Sequence, residues 1–168
     1  PNTFYGQLLI KSNFAKLAAT APIFIWRQGE AEAVFSTDVA LYQRNFEKFR
    51  ANLKEDFAGI KKMYVVQNNI LMLESNNASE LRDFQRRTKT LYADVEAIST
   101  VGATGYDGLH YLPDGHRQTG FELARLVSRD FYWSTDGYEI NSPDIKKAFF
   151  TANKDSVILV FDNNFVQM

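Results

Sequence analysis

Short apolar segments alternate along the chain with longer segments in which apolar residues recur every three or four positions. The short segments have the length of strands that are buried on both faces, and they lie at residues 23–26, 63–67 and 95–101. The longer segments at residues 39–57 and 81–91 have the spacing of amphipathic helices. Strands that alternate with helices form βαβ units, whose strands run parallel in one sheet. We therefore predict an α/β fold with a parallel sheet flanked by helices.

Further segments extend this pattern towards both ends of the chain. Residues 4–19 carry apolar residues at helical spacing and are predicted to form a first helix. Residues 123–131 have the same spacing after the third strand, which predicts a final helix. Residues 145–151 and 156–162 are apolar runs separated by a short polar turn, which is typical of a β-hairpin.

Capping residues stand before two of the predicted helices. Residues 36–38 are Ser-Thr-Asp, and Asn77 followed by Glu80 three positions later resembles a capping box. Side-chain oxygens at such positions accept hydrogen bonds from the free N–H groups of the first helical turn. These residues are predicted to begin the second and third helices.

The composition excludes several classes of protein. A length of 168 residues with 45% hydrophobic residues is enough for one domain with a buried core. We assign residues 1–135 to this domain and interpret residues 141–168 as the start of an appended β element. A net charge of −1 leaves no basic surface for nucleic acid, and no apolar run is long enough to span a membrane. The chain has no cysteine and therefore no disulfide or thiolate metal site.

Polar residues follow two of the predicted strands at the point where each strand ends. Gln28, Gly29 and Glu30 come after the first strand, and Asp107 and His110 lie on the loop after the third strand. The carboxyl ends of parallel strands meet at one edge of the sheet, where ligands bind in open α/β folds. A carboxylate three residues before an imidazole is the pattern in which an Asp orients a His that acts as a general base.

The enzyme interpretation lacks one element, and a metal site is another interpretation that stays open at this point. A His-Asp pair needs a nucleophile to activate, and no segment of the sequence resembles a nucleophile elbow. Asp107, His110, Glu30 and His116 are also residue types that bind metals, although no two histidines have helical i, i+4 spacing. The enzyme interpretation explains more of the residues than the metal interpretation does.

Two sequence blocks resemble a known family of enzymes. Residues 107–120, Asp-Gly-Leu-His followed by a Pro-containing turn and Gly120, resemble the last conserved block of SGNH (GDSL-type) hydrolases. Residues 23–33, with Trp-Arg-Gln-Gly-Glu, are similar to a block of the sialate O-acetylesterase-like branch, which includes carbohydrate acetylesterases of plants and bacteria. The resemblance covers roughly residues 4–133. It implies a flavodoxin-like α/β fold of the SGNH type, incomplete in this chain and followed by the C-terminal β-hairpin element.

The resemblance also implies a role for each of these residues. His110 would be the general base for a serine nucleophile, and Asp107 would orient His110. Gln28 would donate a hydrogen bond to the oxyanion, and Gly29 would let the backbone approach the acyl group. Glu30 would brace this loop by internal hydrogen bonds. The catalytic triad that the family uses implies neither a metal nor another cofactor.

The chain departs from the family pattern at the nucleophile. The family carries its serine in a Gly-Gln-Ser-Asn block, whereas here Gly6-Gln7 and Ser12-Asn13 are separated and lie in the first predicted helix. We therefore expect the serine and the first two strands on an N-terminal portion of the same enzyme or on a partner chain. A sheet without those strands exposes an apolar edge, so the chain is not expected to persist alone as a folded monomer.

The resulting hypothesis is a serine ester hydrolase that removes acetyl groups from sugar hydroxyls. Its partners would be the serine-bearing portion and an acetylated carbohydrate, with neither nucleic acid nor a membrane span. Family habit implies a secreted or periplasmic enzyme, although this sequence contains no signal peptide. The alternative is a carbohydrate-binding or assembly module that keeps the SGNH fold without the chemistry.

Overall fold

A computed structural model of the protein describes residues 2–35, 39–72, 78–137 and 140–162. The chain divides into two compact units, Pro1–Gly115 and His116–Met168. The described helices are α1 (Phe4–Phe14), α2 (Glu30–Phe35), α3 (Val39–Asp56), α4 (Ala78–Leu91) and α5 (Pro113–Tyr132). The described strands are β1 (Ile23–Trp26), β2 (Lys62–Val66), β3 (Val95–Ile98), β4 (Ile145–Phe150) and β5 (Val157–Phe161).

Strands β1, β2 and β3 form a parallel sheet in that order, so β2 lies in the middle. Ile23 lies opposite Lys62, and Met63 lies opposite Val95. Neighbouring residues of a strand point to opposite faces, and all four residues from Met63 to Val66 are buried. The continuous apolar run that marks this strand in the sequence is thus explained by burial on both faces. The predicted α/β class is confirmed.

Helices α3 and α4 pack together over one face of this sheet. Tyr42 and Phe46 of α3 and Leu81 and Phe84 of α4 share one buried core with Val65 of β2. The rings of Phe46 and Phe84 meet edge to face with their centroids 5.6 Å apart. The three- and four-residue spacing of apolar residues in the sequence places these side chains on the buried faces of the two helices.

Strand β1 is hydrogen-bonded to β2 on one side. Its other side, here called the open side of β1, pairs with no described strand. Ile25, in the middle of β1, is 47% exposed, although the strand consists entirely of apolar residues. The unpaired edge of an apolar strand presents free backbone N–H and C=O groups to other chains.

The ends of two elements differ from the sequence prediction. Helix α1 ends at Phe14 and does not continue to residue 19, because Lys16 has a left-handed backbone with φ 59°. Strand β3 ends at Ile98, before the predicted end at residue 101, because the chain turns there and the Ala103 N–H donates to the Thr100 carbonyl, 3.1 Å away.

Two helices also differ at their starts. Helix α2 was not predicted from the sequence: it has only six residues, and its first turn is closed by the Ala33 N–H on the Gly29 carbonyl. Helix α5 begins at Pro113, earlier than expected, since proline fits the first helical position. The capping residues predicted at 36–38 and at Asn77 lie outside the described residues. No described helix has the length and hydrophobicity needed to cross a bilayer.

The second unit contains the predicted hairpin. Strands β4 and β5 pair antiparallel, with Phe150 opposite Val157 and Ala148 opposite Leu159. Nearly all of their residues are exposed, so both faces of this two-stranded sheet present apolar side chains. The hairpin is confirmed, whereas the division of the chain near residues 135–141 stays a prediction.

Candidate active site

The loops that follow β1, β2 and β3 carry polar side chains, as the sequence predicts for the carboxyl ends of parallel strands. The Thr100 hydroxyl donates to the Gln67 carbonyl over 2.9 Å, which joins the loops after β3 and β2. The guanidinium of Arg27 lies 5.9 Å from the centroid of the Tyr111 ring, which places the loop after β1 beside the residue that follows His110. The two predicted site segments therefore adjoin at one edge of the sheet.

Residues Asp107 to His110 form a tight turn, here called the 107–110 turn. The Asp107 N–H donates to the His110 carbonyl over 3.0 Å. Oδ1 of Asp107 accepts from the backbone N–H of Leu109 at 2.9 Å and of His110 at 2.6 Å. These backbone hydrogen bonds from His110 and Leu109 hold the pKa of the Asp107 carboxyl below its usual value. Asp107 therefore caps the turn that carries His110.

A bridge at its base and contacts from two neighbouring loops fix the 107–110 turn. Tyr106 and Tyr111 form an antiparallel bridge across its base. The Tyr111 hydroxyl donates to the Thr100 carbonyl and accepts from Asn69 Nδ2, each over 2.5 Å. The Met72 N–H donates to the Gly108 carbonyl over 2.8 Å. The turn is therefore held to the loops after β2 and β3 and is preorganised.

The two candidate catalytic side chains are both exposed at this turn. Attraction between them contributes to the lowered pKa of Asp107, but no side-chain hydrogen bond joins the Asp107 carboxylate to the His110 imidazole in the described structure. The other histidine, His116, is exposed and lies in α5. The roles of Asp107 and His110 stay predictions.

The peptide between Gln28 and Gly29 is held from the side of α3 and α4. The Gln28 carbonyl accepts from Nε2 of Gln85 at 2.8 Å and from the hydroxyl of Tyr42 at 3.1 Å. Gly29 has φ +134°, and a Cβ there would lie 2.8 Å from Nδ2 of Asn68 and 2.9 Å from Nε2 of Gln85. Only glycine combines this backbone angle with so close an approach.

The side chains of the same loop bind one another. Nε2 of Gln28 donates to the carboxylate of Glu32, which lies one helical turn further on. Nη2 of Arg27 and the carboxylate of Glu30 form an ion pair with a separation of 3.1 Å. The Glu30 carboxylate therefore contacts its own loop, the arrangement that a bracing role requires.

A cleft of about 450 Å³ lies next to this loop in the first unit. Its walls are largely aromatic and aliphatic, and Gln28 and Glu32 supply polar groups; the lining residues are Trp26, Gln28, Glu32, Leu41, Tyr42, Asn45, Phe46 and Phe49. Ligand sites commonly combine apolar walls with a few placed polar groups, so the side chain of Gln28 borders a space that a small ligand fits.

Sequence reasoning missed Gln85, Tyr42 and Asn68, which support the Gln28–Gly29 peptide. Gln85 carried a usable signal, because it is a polar residue next to Phe84 and four positions after Leu81, on the apolar face of α4. A polar residue at a core position must find hydrogen-bond partners inside the protein. Tyr42 gave no separate signal, since its ring fits the apolar spacing of α3.

The structure also shows where the separated serine motif lies and whether the residues of the metal interpretation come together. Gly6-Gln7 and Ser12-Asn13 all lie within α1, as predicted. Within the described parts of the chain, no group of three or more His, Asp or Glu side chains has a geometry that could hold a metal ion.

Comparison with known proteins gives a family for the chain. The family described as carbohydrate esterase, sialic acid-specific acetylesterase matches residues 1–129. No curated protein and no solved structure matches the chain. The family match covers more than three quarters of the 168 residues, including both blocks on which the predicted resemblance rests. The chain therefore belongs to the sialic acid-specific acetylesterase family of carbohydrate esterases.

Proposed function

We propose that this chain provides the general base and the oxyanion loop of a carbohydrate O-acetylesterase, which removes acetyl groups from sugar hydroxyls. The observation that carries the proposal is the 107–110 turn, which is fixed beside the loop of Gln28 and Gly29 in a member of an esterase family. A preorganised base and a backbone that can approach an acyl group are what acyl transfer requires.

The reaction divides into two acyl transfers. A serine oxygen attacks the acetyl carbonyl carbon while His110 takes the serine proton, and the carbonyl oxygen becomes an oxyanion. When the tetrahedral intermediate collapses, the ester bond to the sugar breaks and His110 gives the proton to the sugar oxygen. Water then attacks the acetyl-serine, His110 takes a proton from that water, and acetate leaves as the proton returns to serine.

Asp107 would act on His110 in two ways. Its Oδ1 already fixes the backbone of the turn. Rotation of the exposed His110 side chain would bring an imidazole N–H to the carboxylate, which would hold the ring in the tautomer that accepts the serine proton. Hydrogen bonds of this kind often tighten only when substrate is bound.

We place the serine on an N-terminal portion of the same enzyme or on a partner chain. The separated Gly-Gln and Ser-Asn pairs lie inside α1, where neither forms a strand-to-helix turn. The open side of β1 offers backbone groups on which additional parallel strands could pair. By analogy with other enzymes that act on polysaccharide acetyl groups, we place the complete enzyme in a secreted or periplasmic compartment.

Hydrolysis assays with the two histidines of the chain test this function. The protein, purified with every polypeptide that accompanies it, is given O-acetylated sialic acid, and acetate release is measured. We expect His110→Ala to lower kcat by at least a thousandfold and His116→Ala, a matched exposed histidine, to leave it unchanged. Equal activity of the two variants, or sugar binding by the wild type without acetate release, would show a different catalyst or a non-catalytic module.

A further inference from the structure

Gln85 joins the loops after β1 and β2 through a single buried amide. It is 1% exposed; its Nε2 donates to the Gln28 carbonyl over 2.8 Å, and its Oε1 accepts from the Asn68 N–H over 2.9 Å. The Tyr42 hydroxyl donates to the same Gln28 carbonyl over 3.1 Å, and burial raises the pKa of Tyr42, which keeps its proton. The Gln28 carbonyl is therefore fixed towards α3 and α4 by two buried donors.

The direction of this carbonyl determines the direction of the Gly29 N–H. The Gln28–Gly29 peptide is trans, so its N–H points opposite to its C=O and away from Gln85 and Tyr42. Gly29 is buried, yet its N–H donates to no acceptor among the described residues. Buried backbone donors are almost always paired, because an unpaired one costs free energy. An N–H that points away from Gln85 and Tyr42 and has no partner of its own in the described parts of the chain is suited to an acceptor that arrives with a ligand.

We propose that the Gly29 N–H is an oxyanion donor of the esterase and that Gln85 and Tyr42 are positioning residues that aim it. The proposal rests on the proposed esterase function and extends it to residues of α3 and α4. The acceptor is the acetyl oxygen, which becomes negatively charged when the tetrahedral intermediate forms. A Cβ at Gly29 would lie within 3 Å of Asn68 Nδ2 and Gln85 Nε2, so no side chain fits there, and the two hydrogen bonds to the Gln28 carbonyl fix the direction of the peptide.

The Gly29 N–H complements the side chain of Gln28. One N–H of Gln28 Nε2 is bound by the Glu32 carboxylate, so at most one remains for the substrate. A backbone donor on the next residue would place two N–H groups at one oxygen, as oxyanion sites do.

Acetate, the product acid, is a probe that does not require a serine. In ¹H–¹⁵N spectra of the protein with its accompanying polypeptides, sodium acetate is titrated against sodium chloride at constant ionic strength. We expect the Gly29 amide to shift with acetate and the exposed helical Gly120 amide to stay unchanged. A Gly29 amide that does not respond in the wild type would overturn the proposal.

Variants separate positioning from general stability. Gln85→Leu should weaken the acetate response of Gly29 at least tenfold, and Tyr42→Phe, a milder change that keeps the ring, should weaken it less. Thr88→Val is the matched control, since Thr88 is fully buried on the same helix but its hydroxyl donates to the backbone carbonyl of Gln85 and, among the described residues, is hydrogen-bonded to neither Gln28 nor Asn68. An acetate response in Gln85→Leu and Tyr42→Phe equal to that of Thr88→Val would also overturn the proposal.

The kinetics of acetate release by the protein, purified with its accompanying polypeptides, give a second measurement. Because the oxyanion exists only in the transition state and intermediate, Gln85→Leu should lower kcat by about ten- to a hundredfold with little change in KM. A loss that merely follows the folded fraction, as Thr88→Val would produce, contradicts a positioning role. If the wild type has no esterase activity, the proposed function fails, whereas the acetate titration still decides whether Gly29 is an anion donor.

Discussion

Asp107 has a structural task in the 107–110 turn and, in the proposed function, a chemical one. Oδ1 accepts two backbone hydrogen bonds within the 107–110 turn, and the proposed contact with His110 requires the remaining oxygen. Aspartate suits this position because its short side chain reaches backbone N–H groups two and three residues ahead. The two tasks can be separated by substitution, since asparagine keeps the acceptor of the turn and loses the charge.

Asp107→Asn should leave the thermal midpoint unchanged, because the amide oxygen still accepts from the turn. It should lower kcat by about 10⁴-fold, since an amide stabilises the wrong tautomer of His110 and not the imidazolium. Asp107→Ala should lose both properties, and the His110 amide should then exchange faster with solvent. Normal kcat in Asp107→Asn would show that Asp107 only caps the turn.

The pH dependence of the turn follows from the lowered pKa of Asp107. A carboxyl whose pKa is depressed by folding stabilises the turn above the ordinary value of 3.8, and this contribution is lost as the pH falls through the depressed value. The Leu109 amide, which donates to the same carboxylate oxygen, should therefore show a transition with a midpoint below pH 3.8, and Asp107→Asn should remove it. A wild-type midpoint above 4 would contradict the hydrogen-bonded geometry.

The sequence predicts a helix or strand correctly where the spacing of apolar residues is long and regular enough to show a period. Helices α3 and α4 and strand β2 follow directly from that spacing, since their side chains pack in one core. Helix α2 was missed because six residues are too few to show a period. The order of strands and loops in the sequence predicts a site at the carboxyl edge of the sheet. The contact of Gln85 with Gln28 joins residues 57 positions apart and depends on tertiary packing, which the sequence does not show.

Gly108 provides a test of how tightly the 107–110 turn is held by its neighbours. Gly108 and Gly102 both have positive φ, +101° and +92°, but a Cβ at Gly108 would overlap the side chain of Met72, while a Cβ at Gly102 meets open space. Gly102→Ala should cost about 1 kcal/mol for backbone strain, and Gly108→Ala up to about 1 kcal/mol more, since the exposed side chain of Met72 must move aside. Chemical denaturation measures both, and equal losses would show that Met72 does not confine the turn.

An open strand edge and an exposed apolar hairpin are both formed by the described residues. The open side of β1 belongs to the first unit, and both faces of the β4–β5 hairpin belong to the second. Contiguous apolar surface of this kind favours association with other protein segments. A two-stranded hairpin is marginally stable by itself, so it too is expected to need a covering segment.

Self-association of the isolated chain should therefore depend on β1. Light scattering should show oligomers for the wild type, and Ile25→Lys should reduce them because a charge on β1 disfavours pairing between strands. Leu91→Lys is the matched control, since Leu91 at the end of α4 is 48% exposed against 47% for Ile25. A wild-type chain that stays folded, monomeric and free of aggregates would contradict the expectation.

The most direct test of the central claim is covalent labelling with a fluorophosphonate, a reagent that reacts with serines activated by a neighbouring base. The chain is purified with every polypeptide that accompanies it, labelled, and mapped by mass spectrometry. The account predicts one labelled serine in a Gly-Gln-Ser-Asn segment outside this chain's 168 residues, with labelling lost in His110→Ala and retained in His116→Ala. Absence of labelled serine, or labelling that is independent of His110, would contradict the claim that this chain supplies the base of a serine esterase.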